Sequence, residues 1–208
     1  APDTTRVLFL CFNRSLANKI RYKFNNSGQN IDVMTFHSLA HKYISDAESD
    51  WWKNNKNRKE FWSLDVPLKL SEIIKDKEYY DVLIIDEGQD FKELWYEIIF
   101  RLVKQNGQKF IFIDPFQDIF SIYTKIPGQN NIFKKYPLDE NCRNTKKIVA
   151  QLSDVIEKEL KVNKKSPDGQ EVVIQNFKDE QILVNSLKKE IKSLIHKDDI
   201  DERKMLIL

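Results

Sequence analysis

The sequence predicts an α/β fold in which a largely parallel sheet is flanked by helices, and three features of the chain support this prediction. Short apolar runs at 7–12 and 81–86 have the length and composition of strands that are buried on both faces. Segments with apolar residues at helical spacing stand between such runs. Hydrophobic residues make up 41% of the chain and charged residues 32%, a balance that is typical of a folded globular protein.

The strands are predicted from continuous apolar runs. The first run reads VLFLCF, and the run that ends at Asp86 has VLII before it. Strands are expected, in chain order, at 7–12, 31–34, 81–86, 109–113 and 171–175, with an extended segment at 132–138 and a final strand at 205–208. In parallel α/β sheets ligands bind where the strands end, so the residues that follow each strand are the candidates for a site.

The helices are predicted from apolar spacing and from residues that start or stop a helix. Asn13 can cap the first helix, and Gly28 follows its end. Helices are expected at 15–24, from Thr35 or Ser38 to about 45, from Pro67 to about 75, at 91–105, from Asn144 or Thr145 to about 160, and at 179–195. The pair Asn106 and Gly107 is the expected stop of the fourth of these helices.

The charge and cysteine content restrict the class of protein. The net charge is only +2, from 34 basic and 32 acidic residues, so a surface that binds nucleic acid would have to be local. The two cysteines, Cys11 and Cys142, lie far apart and do not indicate a disulfide framework, which favours a reducing cytoplasm. The apolar run at 7–12 is too short for a signal peptide or a membrane span, so no membrane association is expected.

Asp86 and Glu87 follow the third predicted strand directly, in the segment LIIDEGQD. An aspartate at this position can hold Mg²⁺, usually through water, and the Mg²⁺ can bridge nucleotide phosphates. The neighbouring glutamate can orient or deprotonate the water that attacks a phosphoryl group. The alternative is that both side chains are solvated acids at a turn.

Two further polar residues have a phosphate-related interpretation beside an ordinary one. Gln117 follows the next strand, where an amide can bond both a γ-phosphate and its attacking water, although a glutamine in a loop is more often simply solvated. Arg143 stands between the two halves of the chain, where a guanidinium can reach a γ-phosphate across a cleft. Its alternative role is an ion pair with Asp139 or Glu140 near a helix start.

Five segments, in this order, resemble motifs of the UvrD/Rep-type superfamily 1 helicases. LFLCFNRSLANKI resembles motif Ia, VMTFHSLA the Thr-Phe-His-Ser motif, LIIDEGQDF motif II, FIDPFQDIF motif III and LDENCRNTKKI motif IV. Each match is weak or moderate by itself, but the family's order of all five is a strong signal. The resemblance covers most of the chain and implies a RecA-like P-loop NTPase fold at 1–137, with a small insertion at about 48–80, and the start of a second RecA-like domain at 138–208.

The resemblance also implies roles for individual residues. Asp86 would hold Mg²⁺, Glu87 would be the catalytic base, Gln117 would sense the γ-phosphate, and Arg143 would be the arginine finger. The residues expected to line the path of single-stranded DNA, or RNA, are Asn13, Arg14, Thr35, His37 and Phe120, of which Phe120 could stack on a base.

The main departure from the family is the phosphate loop, G-x-x-x-x-G-K-[ST], whose backbone N–H groups and lysine cradle phosphates. The chain has five glycines, each followed by glutamine, and none of them stands in such a loop. The expectation is therefore a segment of a motor whose N-terminal and C-terminal portions are missing. ATP and Mg²⁺ would be cofactors of the complete motor, and this segment alone would bind neither.

Milder departures and two other functions remain open. Ile113 replaces the motif III glycine, and Ile122 stands where many relatives have a tryptophan. The segment 51–62, WWKNNKNRKEFW, is either a contact for single-stranded nucleic acid or a small hydrophobic cluster, with the cluster favoured. The chain could instead be a catalytically dead helicase-like module that binds nucleic acid or protein. A Mg²⁺-dependent nuclease site formed by Asp86, Glu87, Asp90 and Asp114 is the third alternative.

Overall fold

The computed structural model describes residues 4–24, 28–55, 59–74, 79–114, 126, 133–197 and 200–201. Two compact units divide the chain, 1–134 and 135–208, and each is described by itself. The predictions for Gln117, for Phe120 and for the final strand at 205–208 lie outside the described residues.

The first unit is built on a parallel sheet, as predicted. The described strands are β1 (Val7–Cys11), β2 (Ile31–Met34), β3 (Tyr80–Asp86) and β4 (Val103–Ile111). They lie in the order β2-β1-β3-β4, and every neighbouring pair is parallel. Because each connection between parallel strands must cross back over the sheet, the intervening segments are helical and cover its faces. The α/β class with a parallel sheet is thereby confirmed.

Helices flank this sheet, and their starts follow the capping residues. The described helices of the first unit are α1 (Arg14–Phe24), α2 (Phe36–Ala47), α3 (Trp51–Asn55), α4 (Val66–Ile73) and α5 (Glu93–Phe100), with a π-helical turn at Phe61–Asp65 and a 3₁₀ turn at Gly88–Asp90. Thr35 caps α2 by accepting a hydrogen bond from the backbone N–H of Ser38. Pro67 stands in the first turn of α4, where its missing N–H costs no helical bond.

The prediction of one helix at 91–105 was wrong in its second half. The helix α5 ends at Phe100, and β4 begins at Val103. Tyr80 pairs with Val103 but Val82 pairs with Gln108, so residues 104–107 bulge out of the ladder. The exposed polar residues of this bulge interrupt the alternation that marks a strand, and pairing with β3 outweighs the helical spacing.

The core of the first unit lies between the sheet and its helices. Leu8, Leu10, Leu83 and Ile85 of the sheet are fully buried. The same cluster contains apolar side chains from the helices, among them Phe36, Leu39, Ile44, Leu70, Trp95, Tyr96 and Ile99. This packing holds the ends of β1, β2 and β3 in fixed positions relative to one another.

The second unit contains α6 (Lys146–Val155), α7 (Glu180–His196) and a pair of two-residue strands, β5 (Glu140–Asn141) and β6 (Lys161–Val162). Thr145, one of the two predicted caps, caps α6, and Asp179, the predicted first residue of the other helix, caps α7. The predicted strand at 171–175 is wrong, because residues 171–175 form neither a strand nor a helix and the side chains of Val173 and Ile174 are exposed. An apolar run forms a strand only where another edge pairs with it, and the described part of this unit provides none. Within the described residues of both units, no helix combines the length and the apolar character needed to cross a membrane.

Candidate functional site

The candidate site lies at the carboxyl edge of the sheet, where the parallel strands all end. Cys11, the last residue of β1, pairs with Asp86, the last residue of β3. Thr35 directly follows β2 and lies at the same edge. The sheet therefore brings together the ends of the segments that resemble motifs Ia and II and the Thr-Phe-His-Ser motif, which are far apart along the chain.

Asp86 and Glu87 form a half-buried acidic pair at the end of β3. Asp86 Oδ1 accepts a hydrogen bond of 3.1 Å from the backbone N–H of Glu87. Glu87 has φ 53° and ψ 47°, the left-handed conformation that a residue with a Cβ rarely adopts. Strained backbone of this kind costs about 1–3 kcal/mol and is concentrated at functional sites. The conformation turns the chain sharply at the residue whose carboxylate is the candidate base.

Gly88 allows this turn to pack against the core. Its backbone N–H donates to the carbonyl of Phe112 at 2.8 Å, and its carbonyl accepts from the buried hydroxyl of Tyr96, also at 2.8 Å. A Cβ at this position would lie 2.6 Å from the Tyr96 hydroxyl and 2.8–2.9 Å from methyl groups of Ile111 and Ile113. The close approach of the turn to α5 and β4 therefore requires glycine.

Cys11 is buried beside this acidic pair and is not a reactive thiol. Burial, with the negative charge of Asp86 as the next cause, raises the pKa of the Cys11 thiol to about 11. The thiol donates to the backbone carbonyl of Asn13 at 3.4 Å. Because nucleophilic cysteines react as thiolates, Cys11 acts here as a small core residue.

Two of the residues expected on the nucleic-acid path have a capping role in the structure. Asn13 Oδ1 accepts from the backbone N–H groups of Ser15 and Leu16, so the side chain caps α1. Thr35, which is 8% exposed, caps α2. Arg14 is exposed at the start of α1. The structure thus explains Asn13 and Thr35 by helix capping, and their contact with nucleic acid stays a prediction.

His37 lines an open apolar pocket of about 250 Å³ near the same edge. Its ring makes edge contacts with Trp62 and Trp95, each with ring centroids 5.1 Å apart. The residues that line the pocket are Phe12, His37, Trp62, Ser63, Asp90, Lys92 and Trp95. Phe12 and Trp62 are 40% and 52% exposed, so two aromatic surfaces are accessible to a ligand. A planar, uncharged group fits this lining best, because aromatic faces favour stacking.

The aromatic segment of the insertion divides between the core and this pocket. Trp51, Trp52 and Phe61 contact one another and pack against the core, so the favoured prediction of a hydrophobic cluster is confirmed for them. Trp62 instead borders the pocket. Sequence analysis kept a nucleic-acid contact open for the segment that contains Trp62, but it assigned neither Trp95 nor Lys92 to a site. The signal for that alternative was the set of basic residues before Trp62, at positions 53, 56, 58 and 59.

His37 makes the stability of the first unit depend on pH in a defined direction. Burial, followed by the positive charge of Lys92, lowers the pKa of His37 below its usual 6.5, while a hydrogen bond with the Trp62 backbone opposes this effect. Asp90 also faces the pocket. A lowered folded-state pKa means that the unfolded chain binds the proton first, so the stability that neutral His37 provides is lost as the pH falls below about 6.5.

The free energy of unfolding of His37→Gln should change less between pH 7.5 and 5.5 than that of the wild type, as measured by urea titration. An unchanged pH slope would contradict this assignment.

Arg143 is exposed in the second unit. Its guanidinium makes no hydrogen bond or ion pair within the described part of the chain, although its backbone N–H donates to Asn141 Oδ1. Asp139, one of its two expected alternative partners, pairs with Lys161 instead. This arrangement leaves the guanidinium available for an anion.

The acids at this edge of the sheet do not form a metal-binding cluster within the described part of the chain. Among the described residues, no three or more His, Cys, Asp or Glu side chains form a group that could hold a metal ion. The four acids of the nuclease alternative, Asp86, Glu87, Asp90 and Asp114, are described and do not form such a group. One carboxylate at a strand end is the arrangement that Mg²⁺ uses when phosphates and water complete its shell.

In comparisons with known proteins, no family model matches the chain, and no curated protein sequence matches it significantly.

Proposed function

We propose that this chain is a segment of an ATP-dependent superfamily 1 DNA helicase or translocase, which couples ATP hydrolysis to movement on single-stranded DNA. The observation that carries the proposal is the acidic pair Asp86 and Glu87 at the carboxyl end of β3, an inner strand of the parallel sheet. The resemblance of five ordered segments to helicase motifs supports the same function. A RecA-like fold is part of this proposal, and the parallel sheet flanked by helices is compatible with it.

The roles proposed within the site are those that the resemblance to the helicase motifs implies. Asp86 would hold Mg²⁺ through water, and the Mg²⁺ would neutralise charge on the phosphates. Glu87 would accept a proton from the attacking water at its Oε1 atom, which receives no hydrogen bond from the described residues, whereas Oε2 accepts from Gln89. Gln117 and Arg143 keep their proposed roles as the sensor of the γ-phosphate and the arginine finger.

The phosphate cradle is the part of this chemistry that the 208 residues lack. Without its backbone N–H groups and lysine, the triphosphate would lose most of its donors, so we propose that hydrolysis requires a phosphate loop from outside this sequence. The test is ATP hydrolysis, with and without single-stranded DNA, by a protein that contains both. Absence of DNA-stimulated hydrolysis from such a protein would reject the proposal.

The pocket that His37 lines is the proposed contact with single-stranded nucleic acid. Its exposed aromatic residues can stack on an unpaired base, and Lys92 can approach a phosphate. The helix α1, which begins two residues after Phe12, carries four basic and no acidic side chains. A local basic surface therefore exists despite the small net charge, as electrostatic attraction of a phosphate backbone requires.

Replacement of Trp62 by alanine is expected to weaken binding of an oligothymidylate by about tenfold to a hundredfold, because one stacked base contributes about 1–3 kcal/mol. Fluorescence anisotropy of a labelled oligonucleotide measures this effect, and Trp62→Phe should retain most of the affinity. Tyr136→Ala, which removes an exposed aromatic ring of the second unit, is the control. The affinity should also fall as salt rises. Equal losses in Trp62→Ala and Tyr136→Ala, or an affinity independent of salt, would remove the pocket from the nucleic-acid path.

A helicase-like module that binds without hydrolysis is the second candidate. The pocket favours it, because binding of a base there needs no nucleotide. The two candidates differ in what Glu87 contributes: a motor needs its carboxylate, whereas a binding module does not. Loss of hydrolysis in Glu87→Gln with unchanged oligonucleotide binding supports the motor.

A further inference from the structure

The side chain of Gln89 lies between the Glu87 carboxylate and the backbone that follows β4. Its Nε2 group donates to Glu87 Oε2 at 2.7 Å, and its Oε1 atom accepts from the backbone N–H of Asp114 at 3.0 Å. These partners fix the orientation of the amide, because a flipped amide would direct its oxygen at the carboxylate and its NH₂ group at an N–H. Gln89 thus connects the turn after β3 with the segment after β4.

Two backbone hydrogen bonds hold the chain on either side of this connection. The N–H of Phe112 donates to the carbonyl of Ile85, and the N–H of Gly88 donates to the carbonyl of Phe112, both at 2.8 Å. Gln89 is the single described residue that bonds to the side chain of Glu87. The direction of the carboxylate therefore depends on Gln89, while the path of the chain does not.

The hydrogen bond from Gln89 constrains one oxygen of the Glu87 carboxylate. The bond from Gln89 is charge-assisted, which makes it shorter and stronger than a bond between neutral groups. One carboxylate oxygen is held in this way, and the other is left for chemistry.

We propose that Gln89 is a positioning residue for Glu87 and makes the position of the Glu87 carboxylate depend on the backbone at Asp114. Asp114 stands three positions before Gln117, so a displacement of this segment would be transmitted to the carboxylate through one side chain. The consequence for hydrolysis rests on the proposed function. The mechanical link itself does not, and it can be measured in the 208-residue chain.

Hydrogen exchange of the Asp114 amide, followed by NMR, tests the link. Gln89→Leu removes the acceptor and should speed this exchange by about tenfold, the factor that corresponds to a bond of about 1.4 kcal/mol. Glu87→Ala removes the carboxylate to which Gln89 Nε2 donates and leaves the bond to the Asp114 N–H in place. It should also speed the exchange, by about threefold, because Gln89 is then held less firmly. The double variant should exchange no faster than Gln89→Leu, because the two changes break one connection. The Leu83 amide in the middle of β3 reports whether the sheet remains intact.

Two results would overturn the proposal. The first is faster Asp114 exchange in Gln89→Leu together with unchanged exchange in Glu87→Ala, since Gln89 would then support the loop without responding to Glu87. The second is unchanged exchange in both variants. If the Leu83 amide also exchanges faster in Gln89→Leu, the sheet itself is disturbed and Gln89→Glu replaces that variant in the test. Gln89→Glu keeps an acceptor for the Asp114 N–H, but its negative charge repels Glu87. Faster exchange in Gln89→Glu with a protected Leu83 supports the link, and unchanged exchange overturns it.

Hydrolysis is the second readout, in a protein that also has a phosphate loop. Gln89→Leu should lower kcat by about tenfold to a hundredfold and leave the KM for ATP within about twofold, because misplacing a base affects the chemical step rather than binding. Gln105→Leu, an exposed position on β4, is the matched control. A raised KM with unchanged kcat would reject the positioning role. Hydrolysis that survives Glu87→Gln would instead reject the proposed function, and the Asp114 exchange would still decide the link.

Discussion

Replacing Glu87 by glutamine is expected to slow ATP hydrolysis by about 10²- to 10⁴-fold, the usual contribution of a general base. The substitution keeps the size of the side chain and one oxygen that can accept from Gln89, so the turn should keep its shape. Nucleotide and oligonucleotide affinity should therefore change little, and the loss should appear in kcat. Steady-state phosphate release by a protein that contains this chain together with a phosphate loop measures the effect.

Glu97→Gln is the control, because it removes an exposed carboxylate from α5 without touching the acidic pair. It should hydrolyse ATP at the unmodified rate. Hydrolysis by Glu87→Gln at the same unmodified rate as Glu97→Gln would show that Glu87 is not the base. A large loss in both would point to an effect of charge on folding.

Gly88→Ala is expected to lower the free energy of unfolding of the first unit by about 2–3 kcal/mol, as overpacking a close-packed core does. The added methyl group would meet the Tyr96 hydroxyl at 2.6 Å and two isoleucine methyl groups at 2.8–2.9 Å. Tyr96 is fully buried and Ile111 is half-buried, so the turn must move away from α5 and β4, whereas Ile113, which is 45% exposed, can shift more easily. Urea unfolding measures the change: the midpoint should fall, while the slope of the unfolding free energy against urea concentration should stay the same.

Two further variants isolate the cause. Tyr96→Phe removes the nearest of the three obstacles, so Gly88→Ala should cost less in that background than in the wild type. Gly28→Ala measures the cost of the left-handed backbone without a clash, because Gly28 has φ +67° and no atom lies within 4 Å of an added Cβ. It should cost only about 1–2 kcal/mol, from the left-handed backbone alone. An equal cost of Gly88→Ala in both Tyr96 backgrounds would contradict the clash.

Most of the sheet of the first unit, and helix starts in both units, could be predicted from the sequence for local physical reasons. Strands buried on both faces must be apolar throughout, which identifies β1 and β3 without knowledge of their partners. Helix starts are visible because a side chain must satisfy the first N–H groups, as Thr35, Thr145 and Asp179 do. Both signals lie within a few residues of the feature that they predict.

The errors concern features that depend on distant partners. β4 begins at Val103 because Tyr80 pairs with it, and no residue near Val103 reveals this. Residues 171–175 have the composition of a strand but pair with no described edge. Strand pairing is decided by residues far along the chain, so composition alone cannot predict it.

The candidate site shows the same division. Asp86 and Glu87 were found because a pair of acids after an apolar run is a local pattern. The link through Gln89 to Asp114 and the position of Trp62 beside His37 arise only when segments far apart in sequence come together. Neither could be inferred from spacing, since each depends on how β4 or the insertion packs.

The left-handed backbone at Glu87 places two selective demands on one position. Glycine would adopt φ 53° without strain, and asparagine would do so at a lower cost than glutamate. A variant library sorted only for folded stability would therefore move away from glutamate at position 87, whereas a library sorted for hydrolysis would retain it. The residue that determines the proposed chemistry is one that the fold alone would replace, so stability and activity oppose each other at the turn between Asp86 and Gly88.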